Sequence, residues 1–252
     1  ERIEAINGPA SVMYGQTTPG GMLAMSLKKP TDTPLHQVSV GFGNWGRYES
    51  TVDFSDKLTK SGNLRYRVAA IGVTQGTQTD HVDYHRVGVL PSITWDIDHK
   101  TSLTLLGMYM YTPGTGISES NDYPLKGSLI TDGYRRIPRS NFLGATNWNT
   151  EADTTAMFEY QFQHKFNKYI NFSQTFRYEQ SSANSKDSYY DGSVIYEKAY
   201  KAQNWLKETS KTTHLETEVT GNFKRGPYNQ TRLVVLDFNF IILNCTFFYS
   251  PL

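Results

Sequence analysis

The amino-acid sequence predicts an all-β chain, specifically a transmembrane antiparallel β-barrel. Three observations support this: the composition, the two-faced strands and the unequal lengths of the connections. Aromatic residues make up 13% of the 252 residues, and charged residues make up 19%. A polar average with many aromatic side chains is typical of such barrels, because only every second strand residue faces lipid and aromatic residues mark both interfaces. A secreted β-sandwich can have the same composition and stays open as an alternative.

The clearest strand is predicted over 154–166, where aromatic side chains alternate with charged or amide side chains. Phe158 and Tyr160 would lie on one face, and Glu159 and Gln161 on the other. A barrel with a lipid-facing outside and a wet interior needs this pattern, although a half-buried sandwich strand shows it too. About nine strands are expected along the chain. Other predicted strands cover 36–43, 46–58, 63–75, 84–97, 101–112, 169–180 and Arg232–Phe240.

The connections between these strands differ in length in a regular way. Those that follow residues 58, 97, 166 and 223 are short and polar. Two others are long, with about 40 residues over 113–153 and about 30 over 181–212, and outer-membrane barrels show this asymmetry. The sequence therefore predicts long loops outside the cell and short turns in the periplasm.

Several classes of function are disfavoured by the composition and motifs. The formal net charge is only +1, which argues against nucleic-acid binding. The single cysteine, Cys245, excludes an intrachain disulfide. No nucleotide-binding, hydrolase or zinc-protease motif occurs, so no enzyme is expected. Asp80, His81, Asp83 and His85 lie close in sequence, but we interpret them as a solvated surface loop and predict no metal site.

The first thirty residues carry an ordered set of turn and charge motifs, namely Glu1-Arg2, Gly8-Pro9, Tyr14-Gly15, Pro19-Gly20-Gly21 and Lys28-Lys29-Pro30. This segment resembles the last part of the plug domain of TonB-dependent siderophore receptors. The blocks VDFSDKL (52–58), YRVAAIG (66–72), VLPSITWDID (89–98) and SLTLLGMYMYTPGTG (102–116) resemble the first barrel strands of that family, and most closely its ferrichrome (hydroxamate) branch.

The resemblance implies a domain organisation and a location. Residues 1–33 would be the C-terminal end of the plug, and 34–240 the first strands of a barrel that closes at twenty-two strands in this family. Residues 241–252 lose the strand alternation and form an atypical tail, for which a frameshift is one hypothesis. The chain is expected to be truncated at both ends and unable to transport alone. A passive porin and a secreted β-sandwich adhesin or carbohydrate-binding module remain alternatives.

The resemblance also implies a ligand, partners and site residues. The transported ligand would be a ferric siderophore, with no cofactor bound directly, in the outer membrane of a Gram-negative bacterium. The TonB complex would act through an N-terminal box that is missing here, and outer-membrane lipid would surround the barrel. The expected ligand-binding residues are Tyr14, Tyr123, Tyr189 and Tyr190, although each could instead pack in a loop or girdle. The expected plug–barrel ion pairs involve Glu1, Arg2 and Glu4 with Arg65, Arg67 and Arg177, although these charges could simply be solvated by channel water.

Overall fold

In a computed structural model, the described part of the chain forms two antiparallel sheets. The structure describes residues 2–8, 20–115, 127, 133, 136–195, 198–225 and 228–251. Strands β1 and β2 pair as a hairpin, and the other nine strands pair in chain order from β3 to β11. The predicted fold class and strand number are therefore confirmed. The strands are β1 Arg2–Asn7, β2 Gly21–Ser26, β3 Leu35–Gly43, β4 Arg47–Lys57, β5 Leu64–Gly76, β6 Asp83–Asp96, β7 Thr101–Thr115, β8 Thr150–Lys165, β9 Ile170–Ile195, β10 Lys198–Arg225 and β11 Tyr228–Pro251.

The register of the nine-stranded sheet separates two chemically different faces. One continuous row, which we assign to the inner face, crosses β4 to β10 and carries mainly polar side chains. Its members are Ser55, Arg67, Ser92, Leu106, Glu159, Arg177 and His214. A second row, on the outer face, carries Val38, Val52, Ala70, Val89, Tyr109 and Ala156. The alternation predicted from the sequence thus places apolar residues outside and polar residues inside.

Large apolar side chains remain exposed along the outer face. Phe42 is 85% exposed, Val40 77% and Val87 59%. Exposed apolar surface on this scale is unfavourable in water and suits contact with lipid or another apolar partner. Strands β3 to β11 form one sheet, and within the described residues no second sheet packs on its outer face, so the β-sandwich alternative is not supported. Among the described residues, no helix has the length and apolar character needed to cross a membrane.

The turns at one end of the sheet are short, as predicted. They join β4 to β5, β6 to β7 and β8 to β9 over 58–63, 97–100 and 166–169. In the second of these, the Asp98 carboxylate accepts a hydrogen bond from the Lys100 amide (2.6 Å). That backbone donor lowers the pKa of Asp98 below its ordinary value. An aspartate that binds its own turn in this way favours the tight reversal.

The predicted long loop over 181–212 is wrong. Strand β9 runs 26 residues to Ile195, and β10 runs 28 residues from Lys198, so the two form one long hairpin. Their ladder continues from Gly221↔Ile170 to Lys198↔Ile195, with one irregularity between Ala199 and Lys201. The alternation of apolar and polar residues is absent from this stretch, which carries polar residues on both faces. Backbone pairing extends the strands there, together with side-chain contacts such as the Trp205 Nε1 bond to Asn184 Oδ1 (2.6 Å).

The predicted atypical tail continues the last strand. Residues 241–251 belong to β11 and pair with β10 as far as Ala202↔Pro251. The lost alternation is visible on the inner face, where Ile241 and Leu243 follow Asp237 and Asn239. An origin by frameshift stays a prediction.

Candidate functional site

Residues 27–34, which we call the connector, join the small hairpin to the nine-stranded sheet and lie against its inner face. Side chains of the sheet bind the connector's backbone. Arg67 Nη1 donates to the Lys29 carbonyl (2.9 Å), and the Thr31 amide donates to Ser55 Oγ (2.9 Å). Ser55 is fully buried, and its hydroxyl donates a hydrogen bond to the Tyr66 carbonyl (2.9 Å). The sheet therefore binds the backbone of the connector as well as its side chains.

Asp53 is the centre of the contact between the connector and the sheet. Its carboxylate accepts two bonds from Arg67, Nε to Oδ1 at 2.7 Å and Nη2 to Oδ2 at 2.8 Å. Lys28 Nζ of the connector reaches Oδ2 at 2.5 Å. Asp53 and Arg67 are only 7% and 3% exposed, whereas the Lys28 side chain is 39% exposed. The buried pair thus belongs to the wall, and the connector adds a third, half-exposed charge to it.

Two further polar links extend the contact along the sheet. Arg65 pairs with Asp32 of the connector and with Asp96 (2.7 Å). Lys29 Nζ donates to Gln161 Oε1 at 2.5 Å on β8. The connector therefore bonds directly to side chains of β4, β5 and β8, and Arg65 joins it to Asp96 on β6.

A buried carboxylate continues this row beyond the connector. Glu159 is 1% exposed and accepts bonds from Gln161 Nε2 (2.5 Å) and Arg177 Nε (2.6 Å). Because Lys29 binds the same Gln161, the connector and the Glu159–Arg177 pair share one hydrogen-bonded chain. Burial of a charge in this way is tolerated because the charge is paired and hydrogen-bonded.

The three arginines expected to bind plug charges do lie on the inner face. The partners described above are Asp32 and Asp96 for Arg65, Asp53 for Arg67 and Glu159 for Arg177. Arg2 and Glu4 form an ion pair with each other, and Glu1 lies outside the described residues. The role expected of these three residues in holding the plug stays a prediction. The connector contact itself, centred on Lys28 and Asp53, was not predicted as a site.

An apolar cavity of about 420 Å³ lies beside this contact, between the end of β2 and the inner face. Leu27 and Lys28 line it on one side. Ile71, Leu90 and Met108 line it on the other. Part of the space between the connector region and the wall is therefore unfilled, next to the Lys28–Asp53 contact that also lines the cavity.

Only one of the four predicted ligand tyrosines is described with its side chain. Tyr189 lies half-buried on β9, opposite the fully buried Ala202 of β10. Tyr190 lies in the same strand, but its side chain is outside the described part, as are Tyr14 and Tyr123 entirely. Whether the four side chains converge on one ligand stays a prediction.

A buried polar network lies directly beside Tyr189 and was missed by the sequence analysis. Asn149 Nδ2 donates to Asp187 Oδ1 (2.7 Å), and Ser188 Oγ donates to Asn149 Oδ1 (2.6 Å). The three residues are only 2%, 5% and 2% exposed, in the order Asn149, Asp187, Ser188. No local sequence motif marks them, because residue 149 meets residues 187 and 188 only through the pairing of β8 with β9.

The histidines and acids predicted between residues 80 and 85 do not gather around one point. His85 Nδ1 lies 2.8 Å from Thr74 Oγ1, and its Nε2 lies 3.7 Å from Asp83. His81 instead lies near the Phe142 ring, with centroids 6.1 Å apart. Within the described ranges, no group of three or more histidine, cysteine or acidic side chains is arranged to hold a metal ion.

Comparison with known proteins gives relatives of one kind. The ferrichrome outer membrane transporter/phage receptor of Escherichia coli (strain K12) is 29% identical over 94% of this chain and 34% of its own length. The ferrioxamine receptor of Yersinia enterocolitica is 29% identical over 76% of this chain and 26% of its own. The metal-pseudopaline receptor of Pseudomonas aeruginosa is 39% identical over 104 residues. No family model matches the chain.

Solved structures share the fold over almost the whole chain. The ferripyoverdine receptor of the outer membrane of Pseudomonas aeruginosa, bound to ferripyoverdine, superposes with a TM-score of 0.89 at 22% identity, covering 98% of this chain and 33% of that one. The siderophore receptor PiuA from Acinetobacter baumannii superposes with a TM-score of 0.81, covering 96% and 35%. The chain therefore has the architecture of part of a siderophore-receptor barrel.

Fold and wall chemistry together are those of a segment of a β-barrel wall, with an apolar outer face and a polar inner face. By these comparisons, the chain is similar to siderophore receptors, and it spans about a third of the length of the ferrichrome transporter it matches. The ferrichrome transporter and the ferripyoverdine receptor are both, by name, proteins of the outer membrane.

Proposed function

We propose that the full-length protein carrying this chain binds a ferric siderophore at the cell surface and imports it across the outer membrane, driven by the TonB complex. The chain would supply the end of the plug and the first strands of the barrel wall. The observation that carries the proposal is the connector, which is attached to the polar inner face of a sheet whose outer face is apolar. A passive porin has no need of such an attachment, and a soluble module has no need of the apolar outer face.

The chemistry of the connector suits a plug that must be held and then released. Each wall group that binds the connector has a second partner within the wall itself. Asp53 keeps Arg67, and Ser55 keeps the Tyr66 carbonyl. Release of the connector would therefore leave these buried groups hydrogen-bonded, which avoids the cost of stranding them. A half-exposed ion pair such as Lys28–Asp53 contributes little on its own and suits repeated opening.

The described strands alone would not transport. Strands β3 and β11 are edges of the sheet, and a sheet in lipid needs every backbone group paired. We therefore place transport in a closed barrel to which these strands contribute.

The ligand is proposed to be a ferric hydroxamate held by tyrosines at the barrel mouth, because the relatives include a ferrichrome transporter and a ferrioxamine receptor. Tyrosine offers a rigid apolar face and a hydroxyl group to such an amphipathic chelate. Tyr189 is the proposed contact whose side-chain position is known.

The test is binding of ferrichrome and ferrioxamine B to the full-length protein in outer-membrane vesicles. Tyr189→Ala should raise the Kd about tenfold for the chelate that binds. The matched control is Tyr169→Ala, a tyrosine in the short turn at the opposite end of the sheet, 43% exposed, which should leave the Kd unchanged. Uptake of radioactive iron from the bound chelate should also require a working TonB complex. Binding of neither chelate, or equal loss in both variants, would contradict the proposed ligand site.

A further inference from the structure

Residues 139–149, which we call the strap, link three connections at one end of the sheet. The strap is the end of the long β7–β8 connection, immediately before β8. On one side, the Asp80 amide donates to the Ser140 carbonyl (2.8 Å), and Thr79 Oγ1 donates to the Arg139 carbonyl (3.4 Å). The strap is thus joined to the β5–β6 connection.

On its other side, the strap is joined to the β9–β10 hairpin. The Trp148 indole Nε1 donates to the backbone carbonyls of Asp187 (3.0 Å) and Asn204 (3.2 Å). Lys201 Nζ donates to the Leu143 carbonyl. The Lys186 ammonium lies 5.1 Å from the centre of the Trp148 ring, within the range of a cation–π contact. One short segment therefore ties the β5–β6 connection to the hairpin that carries Tyr189.

Asn149 forms the central hydrogen bonds between the strap and the β9–β10 hairpin. Its Oδ1 accepts from the Ala145 amide (2.9 Å) inside the strap and from Ser188 Oγ (2.6 Å) on β9. Its Nδ2 donates to the Asp187 carboxylate at 2.7 Å. The Ser188 hydroxyl is also within 2.8 Å of the Ala145 amide, so the strap and the hairpin share a closed ring of bonds.

The Asn149 side chain packs closely against Gly144 of the strap. A Cβ atom at Gly144 would lie 2.8 Å from Asn149 Nδ2 and 2.3 Å from the Phe142 ring. Asn149 is also 2% exposed, so water cannot replace a lost partner without opening the strap. A buried, fully bonded network of this kind specifies one geometry.

We propose that Asn149 is a positioning residue for the siderophore site. It fixes the strap on the β9–β10 hairpin, and the strap in turn holds the three connections as one preformed unit at the barrel mouth. Preformed loops bind a ligand more tightly because they lose little conformational entropy when the ligand binds. This inference rests on the proposed function for its ligand, while the attachment of the strap is a separate property that can be measured without any ligand.

The experiment compares variants of the full-length protein in outer-membrane vesicles, with two readouts. The first is the rate of tryptic cleavage after Arg136 and Arg139, at the edge of the strap. The second is the Kd for ferrichrome and for ferrioxamine B. Asn149→Ala should raise both the cleavage rate and the Kd, each by about tenfold.

Two further variants separate positioning from general damage. Asn149→Asp places a second carboxylate beside Asp187 and should behave like Asn149→Ala, whereas the exchange N149D/D187N recreates an amide–carboxylate pair and should restore both readouts. The matched control is Asn167→Ala. The Asn167 side chain likewise accepts two backbone hydrogen bonds, from Tyr169 (2.8 Å) and Ile170 (3.0 Å), but in a turn at the opposite end of the sheet. It should change neither readout.

The outcomes are distinct. Faster cleavage with an unchanged Kd would overturn the positioning role, since the strap would then be held for structural reasons only. Unchanged cleavage in Asn149→Ala would overturn the attachment itself. Failure of the unmodified protein to bind either chelate would overturn the proposed function and the affinity half of this inference, while the cleavage rates would still decide whether Asn149 holds the strap.

Discussion

Removal of the Asp53 carboxylate should free the connector far more than removal of its lysine partner. In Asp53→Ala, the Arg67 guanidinium, 3% exposed, would lose its carboxylate, and breaking a buried pair from one side costs about 3–5 kcal/mol. Opening the connector would hydrate Arg67, so most of this cost should appear as easier opening. In Lys28→Met, Asp53 keeps both bonds from Arg67. A pair with a 39% exposed lysine should contribute only about 1 kcal/mol.

The difference between the two variants is about 2–4 kcal/mol, or roughly 30- to 1,000-fold in the opening equilibrium. Hydrogen exchange of the connector, including the Thr31 amide that binds Ser55 Oγ, measures this opening directly. The control is Asp237→Ala, a carboxylate on the inner face of β11 whose side chain is 46% exposed, which should leave connector exchange unchanged. Equal exchange rates in Asp53→Ala and Lys28→Met would refute the view that Arg67 is the buried partner that matters.

Two further predictions concern the outer face and a turn. Val89→Lys places a charge in the middle of an apolar outer-face row and should cost about 2–4 kcal/mol in urea unfolding from phospholipid vesicles, whereas Gln163→Lys on the inner face should cost little; equal costs would contradict the assignment of faces. The Asp98 carboxyl should titrate below its ordinary pKa, and Lys100→Pro, which removes the donating amide, should raise that pKa when followed by NMR. Because its folded pKa is lowered, this turn is stabilised above the unfolded-state pKa, and the stabilisation is lost as the pH falls through the folded pKa. An unchanged Asp98 titration in the proline variant would exclude the backbone amide as the cause.

Strands inside the membrane could be predicted because lipid on one face and water on the other impose a period of two. Phe158 and Glu159 carry this signal, and they lie on opposite faces of β8 as predicted. The same reasoning failed over 181–212, where polar residues such as Asn184 and Lys207 face each other across β9 and β10. Pairing of these strands satisfies the backbone hydrogen-bonding groups without requiring one apolar and one polar face. The hydropathy pattern therefore does not reveal the strands.

For the candidate site too, the sequence predicted the face on which residues lie but not the partners that they bind. Arg65, Arg67 and Arg177 were assigned to the inner face because they alternate with apolar residues. The partners of these arginines could not be predicted from the sequence, because the strand register decides which cation lies next to Asp53. Asn149 gave no signal at all, because an asparagine before a strand is an ordinary loop residue in sequence.

The sequence by itself determined the sheet, its two faces and the resemblance of its first segment to a plug, because each of these depends on neighbours along the chain. Only the tertiary structure decided which side chains hold the connector and the strap. Lys28 and Asp53 are 25 residues apart, Lys29 and Gln161 are 132 apart, and Asn149 and Asp187 are 38 apart. Contacts over such separations depend on the register and curvature of several strands at once, and no local pattern of residues encodes them.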